Sequence, residues 1–230
     1  MLKTLAFGLM IGFSLTAQAL VVFQDLGTSA PPLRLGGVPV QSFSAADQAA
    51  IADDTQVTTI PGSPIGGALT LNLPACKATI PTTWNGWSHG YTGPIYQTAG
   101  GAPCDPPPLA SPDTRVLTLP LGTKAFYFYA NQNQDDTVQT ITATTDTGTT
   151  SGPIVIPAVV STANGYGFFS TAGENIATIT ITTSDPTGFG FGEFGIGVPI
   201  PIPALDDRVR LALILLCLIS GMIAVRRRQG

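Results

Sequence analysis

Residues 124–130 read K-A-F-Y-F-Y-A, and this aromatic stretch sets the fold class of the protein. Successive side chains of an extended strand point to opposite faces, so Phe126 and Phe128 share one face while Tyr127 and Tyr129 share the other. Aromatic side chains are also enriched in strands. The stretch therefore predicts a β-strand with an aromatic ring at each central position.

Similar period-two patterns recur on either side of this stretch. The segment Leu121-Gly122-Thr123 predicts a turn, and with it a hairpin between residues 115–121 and 124–130. One short helix is expected over residues 45–51, with Ser44 as its N-cap. Short strands separated by Gly and Pro predict an all-β fold, an antiparallel β-sandwich of jelly-roll-like type, with a barrel as the alternative. The further predicted strands are 137–145, 154–160, 165–170, 175–183 and 188–197.

The N-terminal segment, residues 1–19, has the three parts of a signal peptide. Lys3 supplies a positive charge, residues 5–15 are apolar, and Ala17-Gln18-Ala19 is a small-x-small cleavage signal. We expect a signal peptidase to remove this segment, so that the mature protein begins at Leu20.

The C-terminal segment, residues 199–230, contains a Pro-rich stalk followed by a predicted transmembrane helix over residues 209–225. Arg226, Arg227 and Arg228 follow this helix directly. A cluster of arginines marks the cytoplasmic side of a membrane segment. Residues 20–198 are therefore predicted to form one extracytoplasmic domain.

The charge and the cysteines of this domain limit its partners and its compartment. Acidic side chains outnumber basic ones three to one between residues 20 and 203, which argues against nucleic acid as a partner. Cys217 lies in the apolar tail, so Cys76 and Cys104 are the available pair. A disulfide between them is expected in an oxidising compartment.

Four aromatic residues in or near the segment between these cysteines form a possible ligand-binding set. Exposed rings can stack on the apolar faces of sugars, while neighbouring amides and hydroxyls bind sugar hydroxyl groups. Packing of the same rings in the core is equally compatible with the sequence. The set consists of Trp84, Trp87, Tyr91 and Tyr96.

The sequence predicts no catalytic residues, no cofactor and no firm metal site. His89 is the only histidine, and no G-x-S-x-G motif is present. A hydrolase would need His89 or Glu193 in a cleft with a hydrogen-bonded partner. The weak candidates for calcium lie in a segment that is better explained as a solvated turn; they are Asn131, Asn133, Asp135 and Asp136.

The C-terminal segment resembles a known class of sorting signals. Ile202, Pro203, Ala204 and Leu205, a polar stretch, a short apolar helix and the three arginines together resemble the IPTL-CTERM and PEP-CTERM signals of Gram-negative bacteria. Alanine stands at residue 204, where the family motif has threonine. The resemblance implies an exosortase-like membrane enzyme as a partner, and release to the cell surface or to an exopolysaccharide matrix.

Three further stretches, residues 84–93, 125–129 and 188–197, resemble parts of the ectodomains of some PEP-CTERM-type exported proteins, which implies a sandwich domain and no particular activity. We therefore expect an exported, non-enzymatic protein of the cell surface or extracellular matrix with a structural or adhesive role. The alternative is a carbohydrate-binding module that uses the segment from Trp84 to Tyr96.

Overall fold

The computed structural model describes residues 20–83, 86–98, 104, 113–132, 139–156, 162–171, 173–184 and 188–197. Within them the chain is mostly β-strand, which confirms the all-β prediction. The strands are β1 (Val21–Gly27), β2 (Arg34–Leu35), β3 (Val38–Ser42), β4 (Gln56–Ile60), β5 (Leu69–Thr79), β6 (Pro94–Gln97), β7 (Asp113–Thr118), β8 (Ala125–Gln132), β9 (Gln139–Thr145), β10 (Ile154–Ile156), β11 (Asn164–Ser170), β12 (Ile176–Thr183) and β13 (Phe189–Gly197).

The predicted short helix is present as α1 (Ala45–Ala49), two residues shorter than expected. The Ser44 hydroxyl accepts a hydrogen bond from the Asp47 backbone N–H at 3.2 Å, as an N-cap does. Within the described ranges, no helix has both the length and the apolar character that crossing a bilayer requires. The predicted signal peptide and the predicted transmembrane helix over residues 209–225 both lie outside these ranges.

All strands of the described part belong to one antiparallel sheet. Its order is β1-β11-β8-β13-β6-β5-β7-β12-β9-β10; β3 also pairs with β13, β2 with β3, and β4 with β5. The sheet curls, so that Phe23 in β1 and Ile154 in β10 line the same cleft although these strands are at opposite ends of the order. The jelly-roll-like sandwich, which is the finer form of the all-β assignment, stays a prediction.

The concave face of the curled sheet holds the main core. The predicted alternation is confirmed here, because Phe126 and Phe128 point into this core while Tyr127 and Tyr129 point to the opposite, outer face. Burying one large apolar side chain contributes roughly 1.5–3 kcal/mol. Other members of the core are Leu117, Ile141, Phe168, Ile179, Ile181, Phe191 and Phe194.

The outer face around β8 is covered by other parts of the chain, so both faces of this strand are buried. Leu35 in β2 and Val40 in β3 pack against Tyr127 and Tyr129. The Tyr127 hydroxyl lies 2.9 Å from the hydroxyl of Ser42, and the Tyr129 hydroxyl donates to the Ser29 carbonyl at 2.5 Å. Both tyrosines therefore bury their rings and still find polar partners.

Glycines in β13 make room for this outer layer. A Cβ atom at Gly195 would lie 2.0 Å from the Tyr127 ring, and one at Gly192 would lie 2.9 Å from the Ile95 side chain. The alternating pattern of residues 188–197 is thus explained by one face that carries Phe and Ile and another that carries almost no side chains.

The predicted hairpin between residues 115–121 and 124–130 is wrong. β7 pairs with β5 and β12, whereas β8 pairs with β11 and β13. The rings of Tyr127 and Tyr129 need glycine beside them, which β13 supplies as Gly195 and β11 supplies as Gly165. β7 contains no glycine, so if it paired with β8 its side chains would clash with the rings of Tyr127 and Tyr129.

Candidate functional site

A β-bulge in β13 turns Glu193 to the outer face. The register between β13 and β8 shifts between Gly192 and Gly195, and Glu193 has a φ of 53°. A bulge adds one residue to a strand and redirects its side chain. Phe189, Phe191, Phe194 and Ile196 all point inward, so their spacing of two, three and two residues is a sequence signal for this bulge.

The segment before β6 carries the groups that meet Glu193. The His89 Nε2 atom lies 2.8 Å from Glu193 Oε1, and the Trp87 indole N–H donates to Glu193 Oε2 at 3.1 Å. On the other side of the imidazole, the Ser88 hydroxyl lies 2.9 Å from His89 Nδ1. Together with Tyr129, whose ring centroid is 5.0 Å from that of His89, these residues form what we call the His89–Glu193 cluster.

The carboxyl group at the centre of the cluster is largely removed from solvent, since the Glu193 side chain is 9% exposed. Burial raises the pKa of Glu193, and the hydrogen bonds from His89 and Trp87 and the charge of His89 offset that rise only in part. Burial, followed by the nearby charge of Glu193, also raises the pKa of Tyr91 and of Tyr129.

The cluster contains the groups of a Ser-His-Glu triad, but their arrangement fits a structural role better. A nucleophilic serine has to be accessible to its substrate. Ser88 is 4% exposed, and both oxygens of Glu193 are occupied by hydrogen bonds. The hydrogen bonds of Glu193 with Trp87 and His89 hold the segment that carries these two residues against the outer face of the sheet.

The predicted aromatic set for sugar binding is divided by the fold. Tyr96 is fully buried in the main core, where its hydroxyl donates to Gln48 Oε1, so its ring has no surface to offer a ligand. Trp87 and Tyr91 are half-buried, and their ring planes are tilted by 40° at a centroid distance of 6.1 Å. These two rings do not form one flat face. Trp84 lies outside the described residues.

The structure joins Cys76, in β5, to Cys104 by a disulfide, as the sequence predicts. Both residues are buried and their Cα atoms are 6.0 Å apart. The bond closes the segment that contains β6 and the His89–Glu193 cluster residues Trp87, Ser88 and His89.

The weak calcium candidates are not brought together in the described residues. Asn131 is a buried residue of β8 rather than a loop residue, and its amide N–H donates to the Gly86 carbonyl at 3.0 Å. Asn133, Asp135 and Asp136 lie outside the described residues. The described part holds no group of three or more His, Cys, Asp or Glu residues that could bind a metal ion.

One partly buried ion pair was not predicted from the sequence. Lys77 in β5 is 5% exposed, and its Nζ atom lies 2.5 Å from Asp53 Oδ1. The Thr79 hydroxyl donates to the same oxygen at 2.7 Å. Lys77 and Asp53 are 24 residues apart, so no local pattern relates them.

In a comparison with known proteins, no family model matches this chain, and no curated protein matches it. Its function therefore has to be inferred from its own residues. The sorting-motif residues Ile202, Pro203, Ala204 and Leu205, and the arginines 226–228, lie outside the described residues.

Proposed function

We propose that this chain is an exported protein of the cell surface or extracellular matrix with a structural or adhesive role. The observation that carries the proposal is the buried disulfide between Cys76 and Cys104. Disulfides persist in oxidising compartments and are rare in the cytosol, so this bond favours a domain that works outside the cytoplasm.

In this proposal, the two terminal segments of the sequence direct export and membrane anchoring. Residues 1–19 would direct the chain to secretion, and residues 209–225 with the arginines 226–228 would hold the precursor in the inner membrane. An exosortase-like enzyme would then act at residues 202–205 and release a mature protein of sandwich type to the surface, the outer membrane or the matrix.

The described side chains support a non-catalytic role in this proposal. The Glu193 carboxyl group binds both Trp87 and His89, the only histidine in the sequence, while the neighbouring Ser88 is buried. These groups stabilise a covering segment rather than line an open active site.

The test is the mass and location of the mature protein in its native host. Intact mass spectrometry of the membrane, surface and medium fractions should find a form that begins near Leu20, ends near residues 203–205 and lies outside the membrane. A variant with Arg226, Arg227 and Arg228 replaced by Ser is the control, since it should impair membrane orientation and processing. A form that retains residues 211–230 in the membrane would contradict the processing step.

A further inference from the structure

The two end strands of the sheet are poorly suited to pairing with another strand. β10 has three residues, and Pro153 and Pro157 flank it in the sequence. Proline has no N–H to donate to a neighbouring strand. β1 is interrupted by an irregularity between Asp25 and Gly27. Short strands, prolines, charges and bulges are the features that protect sheet edges from pairing.

A cleft nevertheless remains open between these end strands. Its volume is about 130 Å³, which is room for one small ring rather than for an extended chain. The rings of Phe23 and Tyr166 are stacked at a centroid distance of 6.3 Å and an angle of 26° and contribute the apolar part of the lining. Ile154 and Val155 contribute the side formed by β10, and Val155 is 64% exposed.

Polar groups lie beside this apolar lining. Asp25 is exposed, and its Oδ1 atom accepts a hydrogen bond from the Gly27 N–H at 2.9 Å, which leaves Oδ2 for a ligand. The half-buried Asn164 supplies an amide group.

We propose that this cleft binds one pyranose ring of a neutral or amine-bearing saccharide. The half-buried ring of Phe23 would pack on the apolar C–H face of the sugar, while Asp25 and Asn164 would bind its hydroxyl groups. The cleft is lined by Asp25 and by no basic residue among those described, so a carboxylate-bearing sugar would be repelled. The proposal does not depend on how the tail is processed, and it differs from the predicted site at Trp84 to Tyr96.

Binding can be tested by NMR on the full chain, labelled with ¹⁵N and held in a detergent without a sugar headgroup. The three probes are glucose, glucosamine and glucuronic acid, which have the same pyranose ring and differ in an amine or a carboxylate group. Glucose and glucosamine should shift the backbone amide signals of Gly27 and Asn164 in a saturable manner, and glucuronic acid should bind at least about tenfold more weakly. No saturable shift at these amides, or equal shifts with all three sugars, would overturn the proposal.

Two variants assign the binding to the cleft. Phe23→Leu should weaken glucose binding several-fold because the ring that packs on the sugar is lost. Asp25→Asn should remove the discrimination against glucuronic acid. This variant tests the cleft as the binding site by itself, even if Phe23→Leu does not fold. Leu121→Ala is the control: Leu121 is 98% exposed and does not line the cleft, so binding should be unchanged. A variant Asp25→Asn that still rejects glucuronic acid would contradict the assignment.

Discussion

His89 and Glu193 face each other with backbones that side-chain-bearing residues seldom adopt. Their φ angles are 42° and 53°, in the left-handed region that favours glycine. Such a conformation costs of the order of 1–3 kcal/mol for a residue with a side chain. The hydrogen bonds of Glu193 with His89 and Trp87 offset this cost, so the protein tolerates the strained backbone at His89 and Glu193.

The stability of the protein should depend on pH in opposite senses through Glu193 and Asp53. Burial raises the pKa of Glu193, so the folded state binds that proton more tightly than the unfolded chain does. Its contribution is fully present below the unfolded value of 4.5 and is lost as the pH rises through the folded pKa. Burial alone would raise the pKa of Asp53, but its hydrogen bonds with Lys77 and Thr79 and the charge of Lys77 lower it.

The contribution of Asp53 is therefore present above its unfolded value of 3.8 and is lost as the pH falls through the folded pKa. Urea unfolding at a series of pH values checks both signs. Relative to wild type, Glu193→Gln should gain stability as the pH rises, and Asp53→Asn should gain it as the pH falls. Two variants with profiles parallel to that of wild type would show that neither carboxyl group contributes.

The positions of both site residues could be read from the sequence, but their contact could not. His89 and Glu193 stood out as the only histidine and as a glutamate within an aromatic strand. They lie 104 residues apart, and a bulge decides which face Glu193 takes. Strand periodicity gives the face of a residue only while the register is unbroken.

At the scale of the elements, the glycines of β13 should be more sensitive to substitution than glycines in turns. Gly195→Ala would place a Cβ atom 2.0 Å from the Tyr127 ring, and the strand backbone cannot move without losing its pairs. We expect a loss of about 3 kcal/mol or more in the free energy of unfolding, at the upper end of what overpacking causes, because the clash is with a buried ring.

Chemical denaturation measures this change, and Gly148→Ala is the matched control. Gly148 has open space around its Cβ position and a φ of 91°, so its substitution should cost only the backbone strain, about 1–2 kcal/mol. An equal or smaller loss at Gly195 would contradict the packing explanation for the glycine pattern of this strand.

From β8 onward, the predicted strand bounds agree with the structure to within two residues, except at β10, which was predicted over 154–160 and spans Ile154–Ile156. Period-two alternation made this possible, as in β9, where Gln139, Ile141, Ala143 and Thr145 are buried. Of the earlier strands, only β7 was predicted, over residues 115–121. β5 contains Pro74 and changes from an alternating pattern to continuous burial at residues 75–78, so it has no single period. Strand partners were also unpredictable, because periodicity describes faces and carries no information about which edges meet.

At the scale of the whole molecule, the disulfide should provide a large share of the stability. It links residues 28 apart, and in the chain-entropy model closing such a loop is worth about 3–4 kcal/mol. Replacing both Cys76 and Cys104 by Ala should lower the free energy of unfolding by this order. Urea unfolding with and without a reductant measures it.

Cys217→Ser is the control for this measurement, since residue 217 lies outside the proposed domain. This variant should respond to the reductant as wild type does. The assignment fails if the reductant lowers wild-type stability no further than it lowers that of the double alanine variant.

The position of β13 has a consequence for the order in which the protein can fold. This strand is the last of the described elements along the chain, yet it lies inside the sheet and pairs with β3, β6 and β8. The sheet cannot be completed until residue 197 has been synthesised, and contacts so distant in sequence form slowly. Until then the sheet lacks one of its inner strands, and a chain whose sheet is incomplete is easier to thread in unfolded form through a narrow translocation channel.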